Sequence, residues 1–142
     1  MDRITLDQAQ AIVTGALEYG RGAGLKPLTV AVLDAGGHPI ALARADGAST
    51  LRPQIAMGKA GGALALGVSS RAIGTMAAER PSFVAALGTI APHGILPAAG
   101  GVIVVGAGGA PIGAVGITGD TSDADEAAAL AGIAAAGLTA QG

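Results

Sequence analysis

The sequence predicts an α+β fold in which an antiparallel β-sheet is covered by helices. Three observations predict it: two pairs of apolar runs, each pair joined by a short Gly-rich turn; helical apolar periodicity at both ends; and a length of 142 residues. Strands joined by short turns run antiparallel, and their apolar faces need helices against them. A chain of this length fits a single domain, 1–142, because one core of that size already buries roughly 70% of the unfolded surface.

Thr5 and Gln8 have the spacing of a capping box, and Leu6, Ala9, Val13, Ala16, Leu17 and Gly20 follow at helical intervals, which places a helix over residues 5–22. Residues 28–33 form an apolar run, Asp34-Ala35-Gly36-Gly37 supplies turn formers, and residues 39–43 resume the run as a hairpin. After the loop Ala45-Asp46-Gly47-Ala48-Ser49, Pro53 fits the first turn of a helix reaching residue 66, where its missing N–H costs nothing. Gly58, Gly61 and Gly62 on this helix predict close packing against another element.

Ser70 and Ser82 are each placed to cap a short helix, with Gly74 and Pro81 limiting their lengths. Residues 102–105 and 111–118, joined by Gly106-Ala107-Gly108-Gly109-Ala110, predict a second hairpin. Its runs are continuously apolar, which implies cover on both faces. Ser122 and Asp125 begin a last helix carried by Ala127, Leu130, Ala131, Ile133, Ala134 and Leu138, with Asp123, Asp125 and Glu126 at the dipole's positive end. The expected order is roughly α-β-β-α-α-β-β-α, which disfavours a doubly wound parallel sheet.

The chain is 51% hydrophobic, yet Tyr19 and Phe83 are its only aromatic residues and 25 residues are Gly. The core must therefore be aliphatic, with many glycines at turns, tight contacts or ligand-facing backbone, since Gly in a regular element costs about 0.5–1 kcal/mol relative to Ala. A net charge of −2 and the lack of a stacking platform argue against nucleic-acid binding. Without Cys there is no disulfide, thiolate nucleophile or thiolate-held metal. Residues 81–119 carry no Asp, Glu, Lys or Arg, but Pro92, Pro97, Pro111 and repeated Gly would break a spanning helix, so the stretch reads as buried hairpin strands and not a membrane anchor. The opening Met-Asp-Arg-Ile-Thr lacks the basic start and apolar block of a secretory signal, and a cytoplasmic location is expected. A mean hydropathy of +0.59 predicts a homo-oligomer, because one small core cannot hide that much apolar surface.

The blocks Val30-Ala31-Val32-Leu33-Asp34-Ala35-Gly36-Gly37-His38 and Ala43-Arg44-Ala45-Asp46-Gly47-Ala48 are similar to the signature hairpin of the GlcG/HbpS family, which includes the C-terminal domain of PduO-type proteins. Lys59-Ala60, Ala99-Gly100-Gly101-Val102, and Gly113-Ala114-Val115-Gly116-Ile117-Thr118-Gly119 followed by Asp125-Glu126 extend the resemblance over nearly the whole chain, in order. The resemblance implies a profilin-like sandwich, self-association, and haem as a possible cofactor. It also implies genes beside catabolic enzymes, and an iron-ligating residue that differs between members.

Haem iron takes an axial imidazole, thiolate, thioether or phenolate, and this chain offers His38, His93, Met57, Met76 and Tyr19. His93, in the uncharged loop Ala91-Pro92-His93-Gly94, leads as the iron ligand or as a general base. An equally open reading makes it a ring that bonds neighbouring backbone and fills space. His38 follows the Gly-Gly turn and either meets the ligand or faces solvent. Lys59, alone on an apolar helix, either holds a carboxylate or snorkels. Arg44 either grips a carboxylate or pairs with Asp46 across the loop. Gly100 and Gly101 either admit a ligand to the backbone or simply permit a bend. No P-loop, His-Glu-x-x-His, Gly-x-Ser-x-Gly elbow or dinucleotide fingerprint is present. Three functions are open: a haem, tetrapyrrole or small-ligand binding protein; a small enzyme moving a proton on a hydroxy- or keto-acid with His93 as base and Lys59 or Arg44 as anchor; or a structural or accessory subunit whose Gly- and Ala-rich faces form an oligomer.

Overall fold

The computed structural model describes residues 2–142. Its elements are α1 (Leu6–Gly22), β1 (Thr29–Asp34), β2 (Pro39–Arg44), α2 (Arg52–Leu66), α3 (Ser70–Glu79), α4 (Pro81–Leu87), β3 (Gly101–Val105), β4 (Pro111–Thr118), α5 (Ser122–Ala135) and β5 (Thr139–Ala140). The strands form one antiparallel sheet in the order β2-β1-β4-β3-β5. Both short helices read after residue 66 are present, as α3 and α4, so the chain holds one helix more than the rough order wrote out, and a short final strand follows α5.

Local chemistry accounts for most element ends. Thr5 and Gln8 bond each other's backbone N–H in a complete capping box. Asp34 Oδ1 accepts from the N–H groups of Gly36 and His38, both at 2.9 Å, and Gly37 turns the chain at φ +84°, so the first hairpin is an Asp-anchored turn that needs Gly at that point.

The cap positions differ from expectation by one residue in two places. Ser69, not Ser70, accepts from Ala72 N–H at the start of α3, and Thr121, not Ser122, accepts from Ala124 N–H at the start of α5. Ser70 is instead buried and accepts from Gly101 N–H at 2.7 Å. Gly74 does not stop α3: a Cβ there would lie 3.0 Å from the Pro97 carbonyl oxygen, so Gly lets the helix pass a neighbouring loop. Pro81 opens α4 and Ser82 caps nothing, because Arg80 already holds the N-cap position without a side-chain bond.

Helices cover both sheet faces. On one side Ile12 and Ala16 of α1 and Ala128, Ala129 and Ile133 of α5 meet Val30, Val32, Val102, Val104, Val115 and Ile117. On the other side Ala60 of α2 packs with Leu33 and Ala114, flanked by Met57 and Leu64. This two-sided cover explains why the strands read as continuous apolar runs. Gly101 and Gly116 are cross-strand partners, and α2 lies directly on them: a Cβ on Gly101 would strike the Lys59 carbonyl, and one on Gly116 the Ala56 carbonyl. Among the described residues no helix is long and apolar enough to cross a membrane.

Candidate functional site

After α4 the chain runs through residues 88–100 before entering β3, and this loop lies against α2. The three glycines of α2 make its seat. A Cβ on Gly58 would meet Leu96, one on Gly62 would meet Ile95, and one on Gly61 would lie 2.8 Å from His93 Cδ2. The packing expected of Gly58, Gly61 and Gly62 is thus found, and its object is the loop that carries His93.

His93 Nε2 lies 2.7 Å from the Gly37 carbonyl oxygen of the first hairpin. A carbonyl can only accept, so Nε2 carries the proton and donates, which leaves the lone pair on Nδ1. The His93 atoms nearest a Cβ on Gly61 are Cδ2, Cβ and Cγ, so the Cδ2 edge of the ring is the one set against Gly61. Nδ1 has no hydrogen-bond partner among the described residues. The half-buried ring borders a hollow of about 410 Å³ walled by Ala35, Gly37, Leu64, Ala65 and Pro92, and another of about 390 Å³ reaching Pro53, Gln54 and Met57.

His38 borders the first of these hollows too. Its side chain is 80% exposed, with Nδ1 3.3 Å from Asp34 Oδ1. The His38 and Gly36 N–H groups, with the neighbouring imidazole, hold the Asp34 carboxyl below the usual carboxylate range.

The remaining candidates lie away from His93. Lys59 is 4% exposed, and its ammonium donates to the Ile117 carbonyl at 2.9 Å and to Asp125 Oδ2 at 3.1 Å. Burial pushes the Asp125 carboxyl up, opposed by the Asp120 N–H donated to its other oxygen and by the Lys59 charge. Arg44 is exposed, donates to the Ala48 carbonyl at 3.2 Å and pairs with no carboxylate among the described residues, so the Arg44–Asp46 pair is not formed. Gly100, at φ +132°, and Gly101 face the Lys59 turn of α2, and the Gly101 N–H is taken by Ser70. Among the described residues no three His, Cys, Asp or Glu side chains gather to hold a metal ion.

The model of the family described as haem degrading protein HbpS-like matches residues 4–134. The chain belongs to the HbpS-like family. Its fold is close to the crystal structure of HbpS, at 31% identity and a TM-score of 0.81, covering 94% of this chain and 90% of that one. It is also similar to PduOC in its haem complex, at 20% identity, a TM-score of 0.86 and 99% and 100% coverage. The protein ORFY of Klebsiella pneumoniae, a DUF336 protein, matches at 24% identity, a TM-score of 0.85 and 96% and 93% coverage. These last two show the fold alone. No curated protein matches the chain.

Within this HbpS-like domain the sequence pointed to His38 and His93 separately, without the Gly37 carbonyl that joins the hairpin to the loop. It also gave no sign that Asp125 stands beside Lys59. Only the glycine spacing on α2 hinted at the seat of His93.

Proposed function

We propose that this chain binds haem or a related tetrapyrrole in the hollow beside α2, with His93 as the iron donor through Nδ1. The observation that carries this reading is the His93–Gly37 bond, which fixes one ring nitrogen as a donor to backbone and leaves the other as a lone pair. A backbone acceptor on the far nitrogen both orients an imidazole ligand and raises its basicity. The walls suit an apolar macrocycle: Leu64, Ala65 and Pro92 are aliphatic, and volumes of about 410 and 390 Å³ fall within the span of small-ligand sites. Bound haem would supply a redox-active iron; the residues here supply the donor, the walls and the fixed tautomer.

The family match and the likeness to HbpS support the same reading. Proton transfer on a hydroxy- or keto-acid is less well supported, because that chemistry needs an anchor near the base. Lys59 is already engaged with Asp125, and Arg44 borders none of the hollows that His93 lines. Exposed Leu51 and Ile90, at 61% and 79%, support the expected homo-oligomer, and Leu51 borders a further hollow beside His93.

A haemin titration of parent and His93→Ala proteins, followed at the Soret band, tests the proposal. The expected result is a shifted band in the parent and none in His93→Ala, with the secondary structure of the variant retained by circular dichroism. A parent-like band in His93→Ala would overturn it. Light scattering on the same samples should show a species larger than one 13.4 kDa chain; a monomer at micromolar concentration counts against the oligomer.

A further inference from the structure

Three strands set a row of polar side chains across one end of the sheet. Thr29 of β1 is the cross-strand partner of Arg44 on β2 and of Thr118 on β4. Alternate residues of a strand share a face, so Thr29 stands on the same face as Leu33, the face that α2 covers through Ala60. Arg52, in the first turn of α2, reaches the row: Nη1 donates to Thr118 Oγ1 at 2.7 Å and Nε donates to Ser49 Oγ at 3.2 Å.

Thr29 is 0% exposed, and its hydroxyl has no hydrogen-bond partner among the described residues. A buried hydroxyl left unpaired is destabilising, and Val would fill the same space without that cost. The two guanidinium groups beside it are equally unanswered. Neither Arg44 nor Arg52 forms an ion pair among the described residues, although Asp46 lies in the loop between them. The start of α2 adds to the excess of positive charge, because Leu51 at its N-cap supplies no side-chain bond and its first turn holds no acidic residue.

We propose that this row binds a small oxyanion, either the carboxylate of an organic acid or free phosphate. Arg52 and Arg44 supply the charge, and the Thr29 hydroxyl supplies a neutral donor. Guanidinium forks match the paired oxygens of such groups. Arg44 is exposed and donates to the Ala48 carbonyl at 3.2 Å, which ties back the loop joining the two arginines. An anion that takes Arg44 from Ala48 frees that loop and opens the way to Thr29. None of the hollows that His93 borders is lined by Thr29, Arg44 or Arg52, so the proposal stands apart from the haem reading.

Calorimetric titration and thermal melting with sodium phosphate and sodium acetate, at constant ionic strength balanced by chloride, test this on parent, Thr29→Val, Arg52→Gln and Arg21→Gln proteins. Arg21 is the control, an exposed cation in the last turn of α1. Parent and Arg21→Gln should bind and be stabilised by at least one of the two anions, and which one responds identifies the source. Thr29→Val should melt at or above the parent in chloride, because it loses only an unpaired hydroxyl, yet bind the anion about tenfold more weakly. Arg52→Gln should lose the response whatever its own melting temperature. A parent that responds to neither anion, or Thr29→Val and Arg52→Gln proteins that respond like the parent, would overturn the proposal. So would a Thr29→Val protein melting well below the parent in chloride, since its hydroxyl would then already be serving the fold.

Discussion

Lys59 and Asp125 meet 3.1 Å apart, at 4% and 1% exposure, and their bond ties α2 on one face of the sheet to α5 on the other past the end of β4. Both ions are matched: the ammonium also reaches the Ile117 carbonyl, and the second carboxylate oxygen accepts from Asp120 N–H. Removing one member leaves a buried charge without its partner, which costs about 3–5 kcal/mol, whereas replacing both with apolar groups is far milder. Chemical denaturation of Lys59→Met, Asp125→Leu and the double variant should therefore show two large single losses and a double loss well below their sum. Additive losses would mean that the pair is not a coupled unit.

The glycines of β3 and β4 set the depth of α2. Gly101→Ala places a methyl group against the Lys59 carbonyl, a backbone atom that cannot move without shifting the helix. Such overpacking costs about 1–3 kcal/mol or more, so this variant should melt well below the parent. Gly22→Ala is the control: it lies in the last turn of α1 with nothing within 4 Å of an added Cβ and no positive φ. It should be neutral or stabilising by up to about 0.5–1 kcal/mol. Equal effects in the two variants would show that glycine content, and not the α2 contact, governs stability here.

The features legible in the sequence are those written in neighbouring residues. The Thr5–Gln8 box, the Asp34 turn and the continuous apolar strands each depend on spacings of a few positions, and each is present. The unread features join distant residues. Lys59 finds Asp125 from 66 positions away, and His93 finds Gly37 from 56. Nothing in the Pro92-His93-Gly94 loop encodes which carbonyl its imidazole meets, because α2 and the hairpin set that distance together. Ser70 shows the same limit: its hydroxyl suits a helix cap, yet β3 offers the Gly101 N–H, and the neighbouring Ser69 takes the cap. The final strand was hidden because its two residues follow a helical pattern directly and gain a partner only from β3.

Asp120 and Asp125 are bonded neighbours that respond to pH with opposite sign. Asp120 accepts from Lys26 N–H and Thr121 N–H, both at 2.8 Å, and these two bonds hold its carboxyl below the ordinary value of 3.8. A folded-state pKa below the unfolded one means that ionised Asp120 stabilises the fold above that ordinary value, and that this contribution is lost as pH falls through the lowered one. Asp125 is raised by burial, so its contribution is fullest below the ordinary value and declines as pH rises through the raised one. Asp120→Ala should therefore be less stable than the parent at about pH 7, and the gap should narrow as acidification takes the parent through its lowered value. The Lys26 segment makes the loss structural as well as electrostatic, since its N–H would lose the acceptor that joins the entry of β1 to the start of α5. Urea denaturation of both proteins across this pH range reads the difference directly. A gap that stays constant down to about pH 2 would mean that the Asp120 charge contributes nothing and that only its shape matters.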